Sequence, residues 1–204
     1  MSKKIKNVNV IDSTKAIENI SDNDISTLNW KTLTGEDISD LSDKIEQDIL
    51  KYQNEGYNKS DFKFIVSCDS QRHGNKVTYV TAIIFLRSGH GGNAYYLKEN
   101  TIIPNFFHKF ETKEMHIKRI QTYARNRIWT ECIKAITCAK WLDQILLNFH
   151  LKVREIHSDI NINKKYLSNE LLSAVNGYIL SQEYTPIIKP NAWGASKIAD
   201  SKTK

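Results

Sequence analysis

The chain has 204 residues, 40% of them hydrophobic, with 29 basic and 23 acidic side chains and a net charge of +6. It is long enough for one domain with a real core and too apolar for wholesale disorder. The longest apolar run, Val80 to Leu86, cannot span a bilayer, and the basic N-terminus lacks the apolar stretch of a signal peptide. Three cysteines (Cys68, Cys132 and Cys138) have neither the even count of a disulfide framework nor the spacing of a zinc site, so a cytoplasmic protein with no membrane partner is expected.

Residues 1 to about 33 are polar and irregular, the pattern of a loosely docked arm. Thr34 and Asp37 have capping-box spacing, and Ile38, Leu41, Ile45 and Ile49 recur at helical intervals up to the Glu55-Gly56 stop. The expected division is therefore residues 1–59 as an arm plus one amphipathic helix (about 35–55), and residues 60–204 as one domain.

Phe62 to Cys68 is dense in β-formers and ends on Asp69. A turn at Gly74-Asn75 leads into a second strand from Lys76 to Arg87. The Ser88-Gly-His-Gly-Gly-Asn93 loop then leads to a third from Ala94 to Ile103, stopped by Pro104. That loop has no Walker lysine and reads as a turn rather than a phosphate cradle. Short connections predict an antiparallel meander.

A long helical pattern runs from Thr112 to Asn148, with a break expected near Asn126. Val153 to Ile160 reads as a strand, Asn169 to Leu180 as a helix and Thr185 to Lys189 as a fifth strand. The tail after Pro190 suits a short helix. The helical crossover makes the fourth strand parallel to the first. The expected class is α/β, with a five-stranded mixed sheet flanked by helices.

Charge is unevenly spread. Residues 1–60 hold 8 lysines and 11 acids, whereas the remainder holds 21 basic and 12 acidic residues, a balance of +9. A basic domain attracts polyanions, nucleic acid first among them.

Asp69 and Asp159 each end an apolar strand. Side by side on adjacent parallel strands they would repel unless one protonates or a hard cation sits between them. His157 and Asn161 flank Asp159 on the same strand face as candidate substrate groups, although for His157 a packed or hydrogen-bonded role is the commoner one. Glu131 falls at the margin of the long helix's apolar stripe, where a solvated role and a turn towards the strand ends are both open. Asp200 follows small residues (Ala192, Gly194, Ala195, Ser196, Ala199) that suit close packing.

Several motifs resemble the bacterial YkuK-like family of predicted nucleases, which have a ribonuclease-H-like fold. They are Cys68-Asp-Ser-Gln71, Arg127-Ile-Trp-Thr-Glu131, Glu155-Ile-His-Ser-Asp-Ile-Asn161, Ser168 to Gly177, Lys189-Pro-Asn-Ala-Trp193 and Ala199-Asp-Ser-Lys-Thr-Lys204. The resemblance covers roughly residues 60–204. It implies that Asp69, Glu131, Asp159 and Asp200 form the acidic cluster of such enzymes, holding Mg²⁺ or Mn²⁺ for two-metal phosphodiester hydrolysis. Ser70, Gln71, His157, Asn161, Lys197 and Lys202 are then expected to contact substrate. Basic residues of the long helix (Lys113, Lys118, Arg119, Arg125, Arg127) would hold phosphates, and Trp193 would stack on a base. The substrate can be RNA, DNA or a hybrid. The alternative is an inactive nucleic-acid-binding or scaffold module.

Overall fold

The computed structural model describes residues 25–102, 112–163 and 167–203. The expected arm up to residue 24 and the stop at Pro104 lie outside them. Six strands form one sheet in the order β1-β4-β3-β2-β5-β6. They are β1 (Trp30–Thr32), β2 (Phe62–His73), β3 (Lys76–Arg87), β4 (Gly91–Ile102), β5 (Val153–Ser158) and β6 (Thr185–Ile188). The meander β2-β3-β4 is antiparallel, while β5 and β6 run parallel to β2.

Six strands replace the expected five because Trp30–Thr32 adds antiparallel to β4, with Trp30 opposite Leu97. Three residues are too short to declare a period, so the polar sequence around them hides the strand. Trp30 is 1% exposed, and its indole N–H donates to the Ile25 carbonyl at 2.7 Å.

Helix α1 (Leu41–Asn54) starts later than expected. Asp40, not Thr34, caps it, accepting from the backbone N–H groups of Ser42 and Asp43. Its stripe Leu41, Ile45 and Ile49 is fully buried in the same cluster as Phe64, Phe85 and Leu142. Burial of each such side chain contributes roughly 1.5–3 kcal/mol. A polar tie adds to the seam. Asp48 of α1 accepts from the Tyr95 hydroxyl and from Asn93 Nδ2 of β4, and pairs with Lys44 at 2.8 Å.

Helix α2 (Lys113–Leu147) is 35 residues long and runs unbroken through Asn126, contrary to expectation. A lone Asn costs a helix only a fraction of a kcal/mol, and the flanking Ala124, Arg125 and Arg127 favour continuation. Thr112 caps its start. Only its second half packs deeply, from Glu131 to Leu146. A 3₁₀ turn (Leu167–Leu171) leads into α3 (Leu172–Ser181), which buries Val175 and Ile179.

The three helices share one core with one face of the sheet. The other face is covered by the C-terminal segment, a π-helical stretch (Gly194–Ala199) and α4 (Asp200–Thr203). There Ile198 and Ala199 pack on Val80, Ala82 and Tyr96, while Trp193 packs on Ile65 and Ile84. Among the described residues, no helix is long and apolar enough to cross a membrane.

Candidate functional site

Strand β2 runs past Cys68 to His73, longer than expected, but its ladder with β5 stops at Cys68 opposite Ser158. The next residue on each strand is an acid, Asp69 and Asp159. Neighbouring strands lie about 4.8 Å apart, so the two acids meet at one level of the sheet. Asp69 is 8% exposed, and its Oδ1 accepts the Ser70 N–H at 2.8 Å.

Glu131 reaches this place from α2. The sequence left it between solvent and site, and the structure buries it, 9% exposed, accepting a hydrogen bond from the Ser70 hydroxyl. Arg127, one turn earlier, donates from Nη1 to the Ser70 carbonyl at 2.7 Å. Burial pushes the Glu131 carboxyl up to about 8. The nearby Asp69 adds to the rise and Asp159 adds a little, while Arg127 and Ser70 oppose it. Two-residue alternation along β2 puts Ser70 on the α2 face with Cys68, and Asp69 on the C-terminal-segment face with Ile65. Asp69 and Glu131 therefore approach the strand ends from opposite faces.

The C-terminal segment is anchored beside them. The His157 ring is 1% exposed, and Nδ1 accepts the Gly194 N–H at 3.1 Å. That leaves Nε2 to carry the proton, facing Glu155 Oε2 at 3.1 Å, with Lys63 on the other Glu155 oxygen at 2.7 Å. Burial holds His157 below its usual pKa, against the pull of Glu155. A Cβ on Gly194 would lie 2.7 Å from Ile84 Cδ1 and 3.0 Å from His157 Nδ1, so the close approach requires glycine. The Trp193 ring meets the His157 ring edge-on at 5.7 Å.

The other sequence-predicted residues divide. Asp200 opens α4, which lies against β2 and β3, but its side chain lies outside what is described. Gln71 is partly buried, and its Oε1 has no hydrogen-bond partner. Asn161 accepts the Asn163 N–H at 2.9 Å. Lys197 is exposed, whereas Lys202 donates to the Leu33 carbonyl at 3.0 Å and lies over the Tyr96 ring, tying α4 to the β1 end of the sheet. Ser70 and His157, expected at substrate, are buried inside the scaffold with polar partners of their own. On α2, Lys118 pairs with Glu114 and Arg125 with Glu170. Lys189 was not foreseen as a site residue. Its Nζ stands 2.6 Å from Asp159 Oδ1, a proximity set by the β5–β6 register, which no sequence signal declares.

Among the described residues, no three acids, histidines or cysteines converge into a metal cage. The donor set nevertheless fits a hard divalent cation. It offers carboxylate oxygens and the orphaned Gln71 Oε1, and Glu131 sits where burial and a neighbouring acid make its negative charge costly.

No curated protein and no solved structure matches the chain. A family model described as Ribonuclease H-like matches residues 44–204, beginning inside α1 and ending with the chain. That match covers most of the sequence, and the mixed sheet with its helices is the corresponding architecture. The chain belongs to the ribonuclease-H-like family.

Proposed function

We propose that the protein is a metal-dependent nuclease of the YkuK-like kind, hydrolysing phosphodiester bonds of nucleic acid. The observation that carries the reading is the placement of Asp69 and Asp159 at neighbouring strand ends, with Glu131 buried near enough for both to help push its carboxyl up to about 8. A buried acid perturbed by burial and by neighbouring carboxylates is a functional-site signature.

Asp69, Glu131 and Asp159 would hold the metal, with Asp200 completing the set. Bound there, Mg²⁺ or Mn²⁺ activates water and neutralises charge on the leaving oxygen. Ser70 holds Glu131 in place through its hydroxyl, and Arg127 holds Ser70 through its carbonyl. Gln71 and Asn161, each two residues beyond an acid along the chain, offer polar groups to a sugar or base. The basic balance of the domain draws the polyanion in.

The test is cleavage of labelled RNA, DNA and hybrid substrates in Mg²⁺ and Mn²⁺ by wild type and Asp69→Asn. Folded Asp69→Asn should cut nothing, and cutting at the wild-type rate refutes the assignment. The Lys189–Asp159 ion pair favours one second reading, a binding module whose acids are structural. Nucleic-acid binding that persists in chelator, with no substrate ever cut, is its signature.

A further inference from the structure

Three parallel strands lie side by side at the site, and their parallel pairing ends at one level. Cys68 is opposite Ser158, and Ser158 is opposite Ile188. The next residues on the three chains are Asp69, Asp159 and Lys189. The Lys189 N–H still donates to the Ile160 carbonyl at 3.2 Å, so the β5–β6 ladder persists at that level. The row reads acid, acid, ammonium.

Lys189 Nζ approaches Asp159 Oδ1 to 2.6 Å as an ion pair. The lysine side chain is 37% exposed and the aspartate 25%, although the Asp159 Oδ1 atom itself is covered. Ion pairs this exposed are weak and exchange readily. An ammonium on a four-carbon stem can also relocate, as a fixed guanidinium cannot. Arg127, another cation near the acids, is committed to the Ser70 carbonyl. Beside the pair opens a cleft of about 350 Å³ lined by Asn161, Ile162, Lys189 and Pro190.

A carboxylate oxygen that faces an ammonium at this distance is not open to a divalent ion at the same time. Metal entry at Asp159 Oδ1 must displace the lysine, and the freed ammonium has the cleft next to it. We propose that Lys189 is a built-in counter-cation of the acid site, holding Asp159 until a divalent ion arrives and then turning to a phosphate oxygen of the nucleic acid in the adjoining cleft. The inference rests on the nuclease reading and gives that site a residue which links metal loading to phosphate capture.

The full-length chain is titrated with Mn²⁺, free ion being followed by electron paramagnetic resonance. Trace lysine acetylation, read by mass spectrometry, is compared with and without saturating Mn²⁺. Lys189→Met should bind Mn²⁺ several-fold more tightly than wild type, and Lys189→Arg should restore wild-type affinity. In the wild type, Lys189 should acetylate several-fold faster once Mn²⁺ is bound, while Lys134, paired with Glu99 at 2.8 Å, stays unchanged. With Ca²⁺ present to suppress cutting, Lys189→Met should bind a fluorescent single-stranded oligonucleotide several-fold more weakly. The acetylation experiment needs no variant, so it stands even if Lys189→Met does not fold. Bound Mn²⁺ with Lys189 labelling unchanged overturns the proposal and leaves the acid site intact, as does a folded Lys189→Met that gains no Mn²⁺ affinity. Undiminished oligonucleotide binding removes the phosphate role. Failure of the wild type to bind Mn²⁺, or wild-type Mn²⁺ affinity in Asp159→Asn, overturns the acid site itself.

Discussion

Replacing Glu131 with glutamine removes one negative charge from the site while keeping the shape and an oxygen to accept the Ser70 hydroxyl. In the wild type the carboxyl rises from its ordinary value of 4.5 to about 8, with burial as the leading cause and Asp69 the next. The folded chain therefore holds this proton more tightly than the unfolded one. Stability contributed by the protonated form is fully present below about 4.5 and drains away as the pH rises through about 8. At about 1.4 kcal/mol per pH unit, charging Glu131 costs up to about 5 kcal/mol, and relaxation or water entry reduces the observed loss to a few kcal/mol. Urea unfolding in chelator, followed by circular dichroism at pH 5 and pH 9, measures it. Wild type minus Glu131→Gln should shift against the wild type by about 2–4 kcal/mol between those pH values. Added Mg²⁺ should recover the loss in the wild type alone, because bound metal neutralises the carboxylate. Parallel pH profiles for the two proteins would refute the claim that Glu131 is an electrostatically strained acid.

Other consequences are equally measurable. Mn²⁺ affinity, read by calorimetry, should rise with pH until about 8 and then level off, since binding must expel the Glu131 proton; a flat profile would contradict this. Gly194→Ala should lower stability by about 1–3 kcal/mol and speed amide exchange in residues 194–203, because the new methyl group meets Ile84 and His157. Exchange unchanged in that segment would show the anchor to be unimportant. Ile45→Ala, emptying a fully buried position on α1, should cost about 2–5 kcal/mol in urea unfolding; a cost below about 1 kcal/mol would mean that α1 is a detachable appendage.

The meander, the crossover helix and both later strands were legible because each has a long period or a clear stop. Phe62 to Cys68 alternates on a sheet, and Ile136, Ala139, Leu142 and Leu146 repeat on a helix. What the sequence hid was set by tertiary contact. Trp30–Thr32 becomes a strand only because β4 offers an edge. The start of α1 moved to Asp40 because its side chain caps two backbone N–H groups that Thr34 is too early to reach. Glu131 could not be assigned from azimuth alone, since a marginal position faces water or the site according to how α2 lies on the sheet. Ser70 decides the matter by hydrogen-bonding it. His157 was read both as a candidate substrate group and as a packed strand histidine, and the structure makes it the peg that fixes Gly194, a contact between residues 37 positions apart. Lys189 escaped notice for a related reason. Only the sheet register puts it level with Asp159.

The central claim is that Asp69 and Asp159 share a divalent ion at the strand ends. Anomalous diffraction from crystals soaked in Mn²⁺ tests it most directly. The account predicts a peak in contact with both carboxylates, with Glu131 turned towards it and Lys189 withdrawn from Asp159. A site without a peak at saturating Mn²⁺, with the Lys189–Asp159 pair intact, would contradict it.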